Sequence, residues 1–455
     1  MTLKISRALH AGYVFESPTT RILFDPIFES PFSVNCFAYP EVRFDYLQIS
    51  RTHFDAVFIS HFHDDHCSLE SLRHLDPKTP IFIYCHFEEL LELIRSLGFK
   101  NVIHLEIDKA VNIGDLKVTA KRALDEDVDS LFHVQFEALN ILNVVDSWIS
   151  PDTLSELAKL APWDMVMWPF QTMREIEVIS PRLHGQTPAE IPVEWREQIM
   201  ALKPRVLIPS SCQFIHEEWS WYRKAFFATS YQQFEQYIAD MKLETSLQRL
   251  EPSQSIELSS AEYKVGAKLD WVSVLPTSIP NGLVDYEFVA GLVPPPTSEI
   301  AKHFARLESK QQQRVIDYCE FEISDKFGSL THDEDDYFYS PKYWRLLLFE
   351  NDGTLMAFDF EICAGRMRRL LKPCTQLHWQ TEIPMIKLWN ALEEGESLSS
   401  LYVRINDCEL EAQICAAAER VDIAEDPLLR CLYNGTVASY QTAQLRRIHA
   451  RQPQK

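Results

Sequence analysis

The chain has little glycine and lacks the motifs that glycine-rich loops and paired cysteines provide. Its 455 residues include 12 glycines, whereas globular proteins contain about 7% glycine on average. No glycine-rich nucleotide loop is present, and the ten cysteines form no C-x-x-C pair. A Rieske ligand pair, C-x-H with C-x-x-H, is also absent. We therefore expect reduced thiols rather than a disulfide framework, and no bound nucleotide cofactor.

Long apolar runs and an excess of basic residues are missing as well. No run of about 18 apolar residues occurs, and the opening stretch MTLKISRALHAGYVFESP lacks the apolar centre of a signal peptide. Lys and Arg number 44 against 66 Asp and Glu, so the formal net charge is −22. Such a field repels phosphate backbones and anionic lipids. We expect a cytoplasmic protein with neither nucleic acid nor a membrane as partner.

Strand and helix patterns alternate along the first part of the chain. The apolar run 56–59 is typical of a buried strand, and 87–97 has apolar residues at helical spacing and ends before Gly98. This alternation predicts a layered α/β domain over residues 1–265.

The amino-acid composition changes after that domain. Residues 266–300 are rich in Pro and Ser, which predicts a linking segment. Beyond them, a helical pattern over 299–321, two strand-like runs around Asn351-Asp352-Gly353 and a strand-like run over 401–405 predict an α+β accessory domain over residues 301–455. This second domain covers an edge of the first, builds a homodimer contact or lends a wall to the substrate site, and its sequence does not choose between these roles.

One short run contains most of the candidate metal-binding residues. The strand-like residues 55–60 lead directly into His-Phe-His-Asp-Asp-His, which begins at His61. Residues two apart on an extended strand point the same way, so His61 and His63 can bind one cation. Asp65 and His66, at the turn into the next helix, can face a second cation. This position, beyond the carboxyl end of a strand, is where α/β folds bind ligands.

The motif resembles a known family. Together with an upstream Arg-Ile-Leu-Phe-Asp-Pro run that contains Asp25, it is similar to the metallo-β-lactamase fold superfamily of dinuclear metallohydrolases and oxygenases. The opening residues and the stretch 203–219 resemble the branch that contains ascorbate-6-phosphate lactonase and the catalytic domain of CMP-N-acetylneuraminate hydroxylase. The resemblance covers about residues 5–260 and implies a four-layer αββα sandwich.

The resemblance also implies which side chains hold two cations. They are His61 and His63 on the first cation, Asp65, His66 and His216 on the second, and Asp146 between the two. Asp65 and Asp146 are also the candidate catalytic residues. The alternatives are a strand-end turn residue for Asp146 and a surface helix residue for His216. His10, in the first motif, fits either a hydrogen-bond donor beside the site or a contact within a turn.

The third ligand of the first cation departs from the family's pattern. The family usually supplies a histidine a few residues before a serine, and the stretch before Ser130 contains none. Counting back four residues gives Glu126, with Asp125 and Asp127 as neighbours, whereas His133 is expected to lie in the following strand. We therefore expect a carboxylate here. Such a site is similar to that of the diiron hydroxylase of chloramphenicol biosynthesis, a member of the same superfamily that activates O2.

This ligand set favours one function over two alternatives. Two imidazoles and one carboxylate with open positions favour non-haem iron over zinc. We therefore expect two iron ions, O2-dependent oxidation of a small metabolite, and a separate electron donor. The first alternative is a dizinc hydrolase of an ester, lactone, amide or phosphoester, with Asp65 as proton shuttle. The second is a non-catalytic binding protein with a degenerate site.

Overall fold

The computed structural model describes residues 1–171, 173–184, 191–276, 283–434 and 438–451. Its strands, numbered along the chain, are β1 Leu3–Leu9, β2 Gly12–Glu16, β3 Arg21–Phe24, β4 Phe37–Ala38, β5 Val42–Phe44, β6 Ala56–Ile59, β7 Ile81–Ile83, β8 Val102–His104, β9 Ala110–Ile113, β10 Leu116–Arg122, β11 Ser130–Phe136, β12 Leu139–Asn143, β13 Met165–Pro169, β14 Val206–Ser210, β15 Phe214–Ile215, β16 Ser246–Leu247, β17 Ser255–Leu258, β18 Tyr263–Val265, β19 Val272–Val274, β20 Lys342–Phe349, β21 Leu355–Cys363, β22 Arg366–Leu370, β23 Trp379–Pro384 and β24 Arg404–Ile405.

Its α-helices are α1 Tyr46–Arg51, α2 Leu69–Leu72, α3 Glu88–Ser96, α4 Pro151–Leu157, α5 Glu175–Ile179, α6 Pro181–His184, α7 Val193–Leu202, α8 Tyr222–Ala225, α9 Tyr231–Asp240, α10 Thr297–Ala301, α11 Ser309–Asp317, α12 Ile323–Gly328, α13 Met385–Glu393, α14 Ala412–Ala418, α15 Pro427–Tyr433 and α16 Ser439–Arg451. Within the described ranges, no helix combines the length and the apolar character needed to cross a bilayer.

Two large sheets form the centre of the first part of the chain. Among the described residues, eight strands pair in the order β18-β17-β1-β2-β3-β6-β7-β8, and seven pair in the order β16-β14-β13-β12-β11-β10-β9. The inner faces share one apolar core, in which the ring of Phe24 lies 5.0 Å from that of Phe132, centroid to centroid. The two sheets therefore pack face to face.

Strand β6 shows why the sequence run 56–59 is continuously apolar. Ala56 and Phe58 belong to the core between the sheets, whereas Val57 and Ile59 belong to the core under the outer helices. A strand that is covered on both faces has no solvent side, so every position is apolar. The sequence run thus marks the centre of the layered structure.

Helices cover the outer faces of both sheets. Leu90 and Ile94 of α3 pack in the same apolar cluster as the outer residues of β6 and β7, and Trp195 of α7 contacts Trp168 of β13. Helix α3 lies within the predicted range 87–97, and Gly98 follows it with a φ of 105° that favours glycine. The predicted four-layer αββα sandwich is therefore confirmed.

The later part of the chain builds a separate sheet with its own core. In the described residues, five strands pair in the order β22-β21-β20-β23-β24. Strands β20 and β21 form the predicted hairpin, in which Gly353 has a φ of 85°. The boundaries of the predicted domains stay predictions. Residues 277–282 of the predicted linking segment lie outside the described residues.

Two predicted elements of this part differ in the structure. The helical pattern after Glu299 forms α10 and α11 as separate helices, because the side chain of Glu308 caps a new helix start together with Gln311. The predicted strand 401–405 is regular only over Arg404–Ile405. The C-terminal helix α16 returns to the sandwich, since Ile448 belongs to the core under its outer helices.

Candidate metal centre

Loops at one edge of the sandwich bring the candidate ligands together. His61 follows the end of β6, Asp146 follows β12, and Asp129 immediately precedes β11. Because neighbouring strands end at the same edge, residues that are far apart in sequence meet there. The side chains form two adjoining groups, each with ligand atoms within 4.8 Å of one another.

The first group consists of His61, His63 and Asp129. The Nε2 nitrogen of His61 lies 3.0 Å from Nδ1 of His63 and 3.7 Å from Oδ1 of Asp129. Burial lowers the pKa of both His61 and His63 to about 4, so both imidazoles are neutral near pH 7 and keep lone pairs for a cation. Burial, with the nearby charge of Asp146, raises the pKa of Asp129 to about 7.

The second group consists of His10, Asp65, His66 and Asp146. The Nε2 nitrogen of His66 lies 3.0 Å from Oδ2 of Asp146 and 3.6 Å from Oδ2 of Asp65. Burial opposes charge on His66, but Asp146 and Asp65 outweigh it and raise its pKa well above the ordinary value. Burial likewise opposes ionisation of Asp146, but His66 and His61 hold its pKa below the ordinary range.

A buried carboxylate beneath these groups sets the orientation of two imidazoles. Oδ2 of Asp25 lies 3.2 Å from Nδ1 of His66 and accepts a hydrogen bond of 2.9 Å from the Ser60 hydroxyl. The same hydroxyl oxygen lies 2.9 Å from Nδ1 of His61 and can accept its proton. In the neutral form of each ring the proton is therefore on Nδ1, and Nε2 can give its lone pair to a cation.

The donor set fits two divalent cations. Within the described residues, Oδ1 of Asp146 is buried without a hydrogen-bond partner, and burying an unpaired carboxylate oxygen is costly. The lone pair on Nε2 of His61 points towards the neighbouring nitrogen of His63, and carboxylates flank both rings. Neutral imidazoles and carboxylates converging in this way are the ligands that transition metals prefer. The residues present therefore suit a dinuclear centre.

The structure does not bring Glu126 to the first group. Its carboxylate is 51% exposed and pairs with Arg122, while its carbonyl oxygen accepts a hydrogen bond from Tyr84. Asp125 and Asp127 are also exposed. The N–H of Asp129 donates to the carbonyl oxygen of Asp125 at 2.8 Å, so the chain turns and places Asp129, not its predecessors, at the site.

His133 lies where the sequence predicts it, in strand β11. It is buried, its Nε2 lies 2.9 Å from Oδ1 of Asn140, and its ring packs against Trp163. The first group thus keeps a carboxylate as its third member, although Asp129 was not among the candidates. Counting residues back from Ser130 does not identify Asp129, because the loop turns between Asp125 and Asp129.

His216 does not lie in the second group. It is buried, and its ring packs against Tyr222 and Phe226, with centroids 5.3 and 5.0 Å away. Neither ring nitrogen has a hydrogen-bond partner among the described residues, and burial lowers the pKa of His216 to about 3. His10 lies beside Asp65 and His66 instead.

The C-terminal helix holds the loop that carries the histidines. The side-chain amide of Gln441 donates to the carbonyl oxygens of Phe62, at 2.9 Å, and Cys67, at 3.0 Å. Gln444 donates to the Ser68 hydroxyl and accepts from the N–H of Leu69, at 2.9 and 2.8 Å. Both glutamines are buried. No motif in the sequence signals these contacts.

Two further carboxyl groups lie near the second group. Burial and the charge of Asp65 raise the pKa of Asp64 to about 7. The same two causes raise the pKa of Glu175, at the start of α5, to about 7. Groups with such pKa values exchange protons near neutral pH, as general acids and bases do.

Comparison with known proteins supports the expected resemblance. Residues 20–137 match the model of the beta-lactamase superfamily domain, a range that includes Asp25, the HFHDDH run and Asp129. No curated protein matches the chain by sequence.

Solved structures are similar to somewhat more than half of the chain. A metallo hydrolase from the archaeon Ignicoccus hospitalis is 17% identical with a TM-score of 0.40, over 57% of this chain and 99% of its own. Isothiocyanate hydrolase from Delia radicum gut bacteria is 15% identical, with a TM-score of 0.41, over 56% and 98%. A diiron β-hydroxylase from Streptomyces venezuelae is 18% identical, with a TM-score of 0.38, over 56% and 54%. This chain thus matches about half of that hydroxylase's length.

Proposed function

We propose, on the premise that residues 20–137 form a metallo-β-lactamase superfamily domain, that the chain is a dinuclear iron enzyme that oxidises a small metabolite with O2. The composition of the first group supports this proposal. His61, His63 and Asp129 are two imidazoles and one carboxylate. With open coordination positions, that set is typical of non-haem iron oxygenases. Some zinc enzymes also use two histidines and one carboxylate, and others use three histidines.

The proposal gives each side chain a task. His61, His63 and Asp129 would hold the first iron, Asp65 and His66 the second, with Asp146 between them. When bound, two reduced iron ions supply electrons to O2. Asp25 and Ser60 hold the two Nε2 lone pairs in place, as carboxylate partners of metal-binding histidines generally do.

Protons and electrons must both be supplied in each turnover. Hydroxylation of a C–H bond by O2 consumes two further electrons and two protons and releases water. Glu175 and Asp64, whose pKa values burial raises to about 7, can deliver protons near neutral pH. The chain has no nucleotide loop, so we propose a separate electron donor. A reducing cytoplasm, which also keeps the ten free cysteines reduced, suits such a reaction.

One observation favours the dizinc hydrolase instead. His216 has two buried ring nitrogens without a partner among the described residues. If this imidazole joined Asp65 and His66, the second set would gain the nitrogen that zinc prefers. Zinc, when bound, lowers the pKa of water to about 7, and Asp65 would then pass the proton on.

Metal content distinguishes the two functions. Protein produced with iron and zinc both available, and purified without oxygen, should contain about two iron ions per chain and consume O2 when a chemical reductant is added. The Asp129→His variant restores the nitrogen ligand that the family usually has here, and it should raise the ratio of zinc to iron. Two zinc ions per chain in the wild-type protein, with no iron and no O2 uptake, would overturn the oxygenase proposal.

A further inference from the structure

We propose that His10 is a positioning residue that donates a hydrogen bond to Asp65, and that it is not a ligand of the second cation. The inference rests on the dinuclear centre of the proposed function, but not on which metal or reaction it serves. His10 lies within 4.8 Å of Asp65, His66 and Asp146, so distance alone would make it a ligand. The hydrogen bond that Nδ1 of His10 makes argues against that role.

The Nδ1 nitrogen of His10 is already used as an acceptor. The backbone N–H of Cys212 donates to it at 2.9 Å, and a backbone N–H can only donate. Nδ1 therefore carries no proton. A neutral imidazole has one N–H, so in His10 this proton is on Nε2. A nitrogen that carries a proton has no lone pair to give to a cation.

The hydrogen bond at Nδ1 of His10 is the reverse of those at Nδ1 of His61 and His66. His61 and His66 place Nδ1 against a hydroxyl oxygen and a carboxylate, which accept a proton and leave Nε2 free. His10 places Nδ1 against a donor. Binding a cation through Nε2 of His10 would require removal of its one remaining ring proton, which gives an imidazolate, or loss of the Cys212 hydrogen bond in a buried place.

The N–H of His10 has a suitable acceptor. Nε2 lies 3.2 Å from Oδ2 of Asp65 and 3.2 Å from Nε2 of His66. A cation takes the lone pair of His66, which leaves the carboxylate of Asp65 as the acceptor. The contact also limits rotation of the carboxylate.

The backbone around His10 is built to keep this orientation. His10 has a φ of 54°, which is unusual for a residue with a side chain. Its carbonyl oxygen accepts two hydrogen bonds from the buried guanidinium of Arg7, at 3.1 and 2.9 Å. The same guanidinium binds the carbonyl oxygen of Ser211 at 3.0 Å, next to Cys212. Arg7 thus ties the turn that carries His10 to the loop that supplies the N–H.

The ring itself has little room to turn over. It lies between Phe32 and Phe214, with centroids 5.5 and 5.9 Å away, and His10 is 1% exposed. Close packing of this kind resists a change of rotamer. The fixed ring therefore presents Nε2–H to Asp65 rather than exchanging its two nitrogens.

Two substitutions at this position separate a donor from a ligand. Glutamine at position 10 can still donate an amide N–H and offers zinc only a neutral amide oxygen, which is not among its usual ligands, whereas alanine provides neither a donor nor a ligand atom. Zinc-loaded wild type, His10→Gln and His10→Ala are compared by zinc content and by chelator competition. We expect two zinc ions in His10→Gln with affinity within about threefold of wild type. We expect about 10- to 100-fold weaker binding of one zinc in His10→Ala, as for other residues that support ligands.

A spectroscopic measurement on the wild-type chain does not depend on folding of the variants. In ¹⁵N-histidine-labelled, zinc-loaded protein, the Nε2 of His10 should give the signal of a protonated nitrogen coupled to its hydrogen, whereas a ligand nitrogen would not. Loss of one zinc in His10→Gln, unchanged affinity in His10→Ala, or an Nε2 of His10 without hydrogen would each overturn the proposal. A wild-type chain that binds no cation would overturn the proposed function and this inference together.

Discussion

The Nδ1 nitrogen of His66 lies 3.2 Å from Oδ2 of Asp25, although 41 residues separate the two in sequence. Through the Ser60 hydroxyl, the same carboxylate also reaches Nδ1 of His61. His61 belongs to the first group of ligands and His66 to the second. One buried side chain therefore orients an imidazole in each half of the candidate centre.

This shared support predicts the effect of Asp25→Asn. Asparagine keeps the size but loses the charge that fixes both Nδ1 protons, so we expect both cations to bind about 10- to 100-fold more weakly. Ser60→Ala removes the hydroxyl that lies 2.9 Å from Nδ1 of His61 and 3.5 Å from Nδ1 of His66, but it leaves the direct contact of Asp25 with His66, so it should weaken the first cation more than the second. Chelator competition with two resolved binding steps measures both effects. Loss of only the second cation in Asp25→Asn would contradict the shared role.

The third ligand of the first cation is tested by a matched pair of variants. Asp129→Ala removes a carboxylate that lies 3.7 Å from Nε2 of His61, and we expect the metal content to fall from about two ions per chain to about one. Glu126→Ala removes an exposed carboxylate that pairs with Arg122 and should leave both ions bound. Elemental analysis after dialysis gives the result, and the reverse pattern would restore Glu126 as the ligand.

Metal binding should strengthen with pH because a ligand must first lose its proton. Burial and Asp146 raise the pKa of Asp129 to about 7, so the carboxyl is mostly protonated below that value and ionised above it. We expect affinity at the first position to rise up to about tenfold per pH unit between about pH 5.5 and about pH 7 and then to level off.

The imidazoles of the first group should add little to this pH dependence. Burial lowers the pKa of His61 and His63 to about 4, so both are neutral across that range. Asp129→Asn should therefore bind more weakly but with a flatter pH profile. Chelator competition over the same range measures both proteins, and an equally steep profile in Asp129→Asn would assign the proton to another group.

The contacts from helix α16 predict a role for Gln441. Gln441→Ala leaves the carbonyl oxygens of Phe62 and Cys67 without this donor, which should lower the free energy of unfolding by about 1–3 kcal/mol. Because Phe62 lies between His61 and His63, we also expect metal to dissociate faster, by about tenfold. Denaturation and chelator-induced release measure the two effects.

A buried glutamine elsewhere provides the control for that variant. Gln380, in β23, donates to Glu382 at 2.8 Å and is also buried. Gln380→Ala should lower stability by a similar amount and leave the rate of metal release unchanged. Equal rates of metal release in both alanine variants and the wild type would mean that the contacts from α16 do not affect metal binding by the loop that carries His61 and His63.

The sequence predicts those features whose cause is local. The spacing of His61 and His63 follows from the two-residue repeat of an extended chain. Strand β6 is predicted because a strand covered on both faces must be continuously apolar, and helix α3 because its apolar residues recur at helical spacing. These signals lie within a few residues of the feature that they predict.

Features that depend on distant contacts are not predictable in this way. Asp129 reaches the site because the loop turns through its hydrogen bond to Asp125, and a count of positions cannot see that turn. The proton on His10 is set by Cys212, 202 residues away. The family resemblance implies His216 as a ligand of the second cation, whereas its ring orientation here depends on packing against Tyr222 and Phe226.

The link from Gln441 to Phe62 also bears on the order in which the protein can mature. The ribosome makes the histidine loop 379 residues before it makes the glutamine that anchors it. N-terminal domains generally begin to fold during translation. The sandwich would therefore fold first without the hydrogen bond from Gln441 to this loop. Tight binding of metal would then wait until α16 has been made, and chains truncated before this helix would bind metal more weakly.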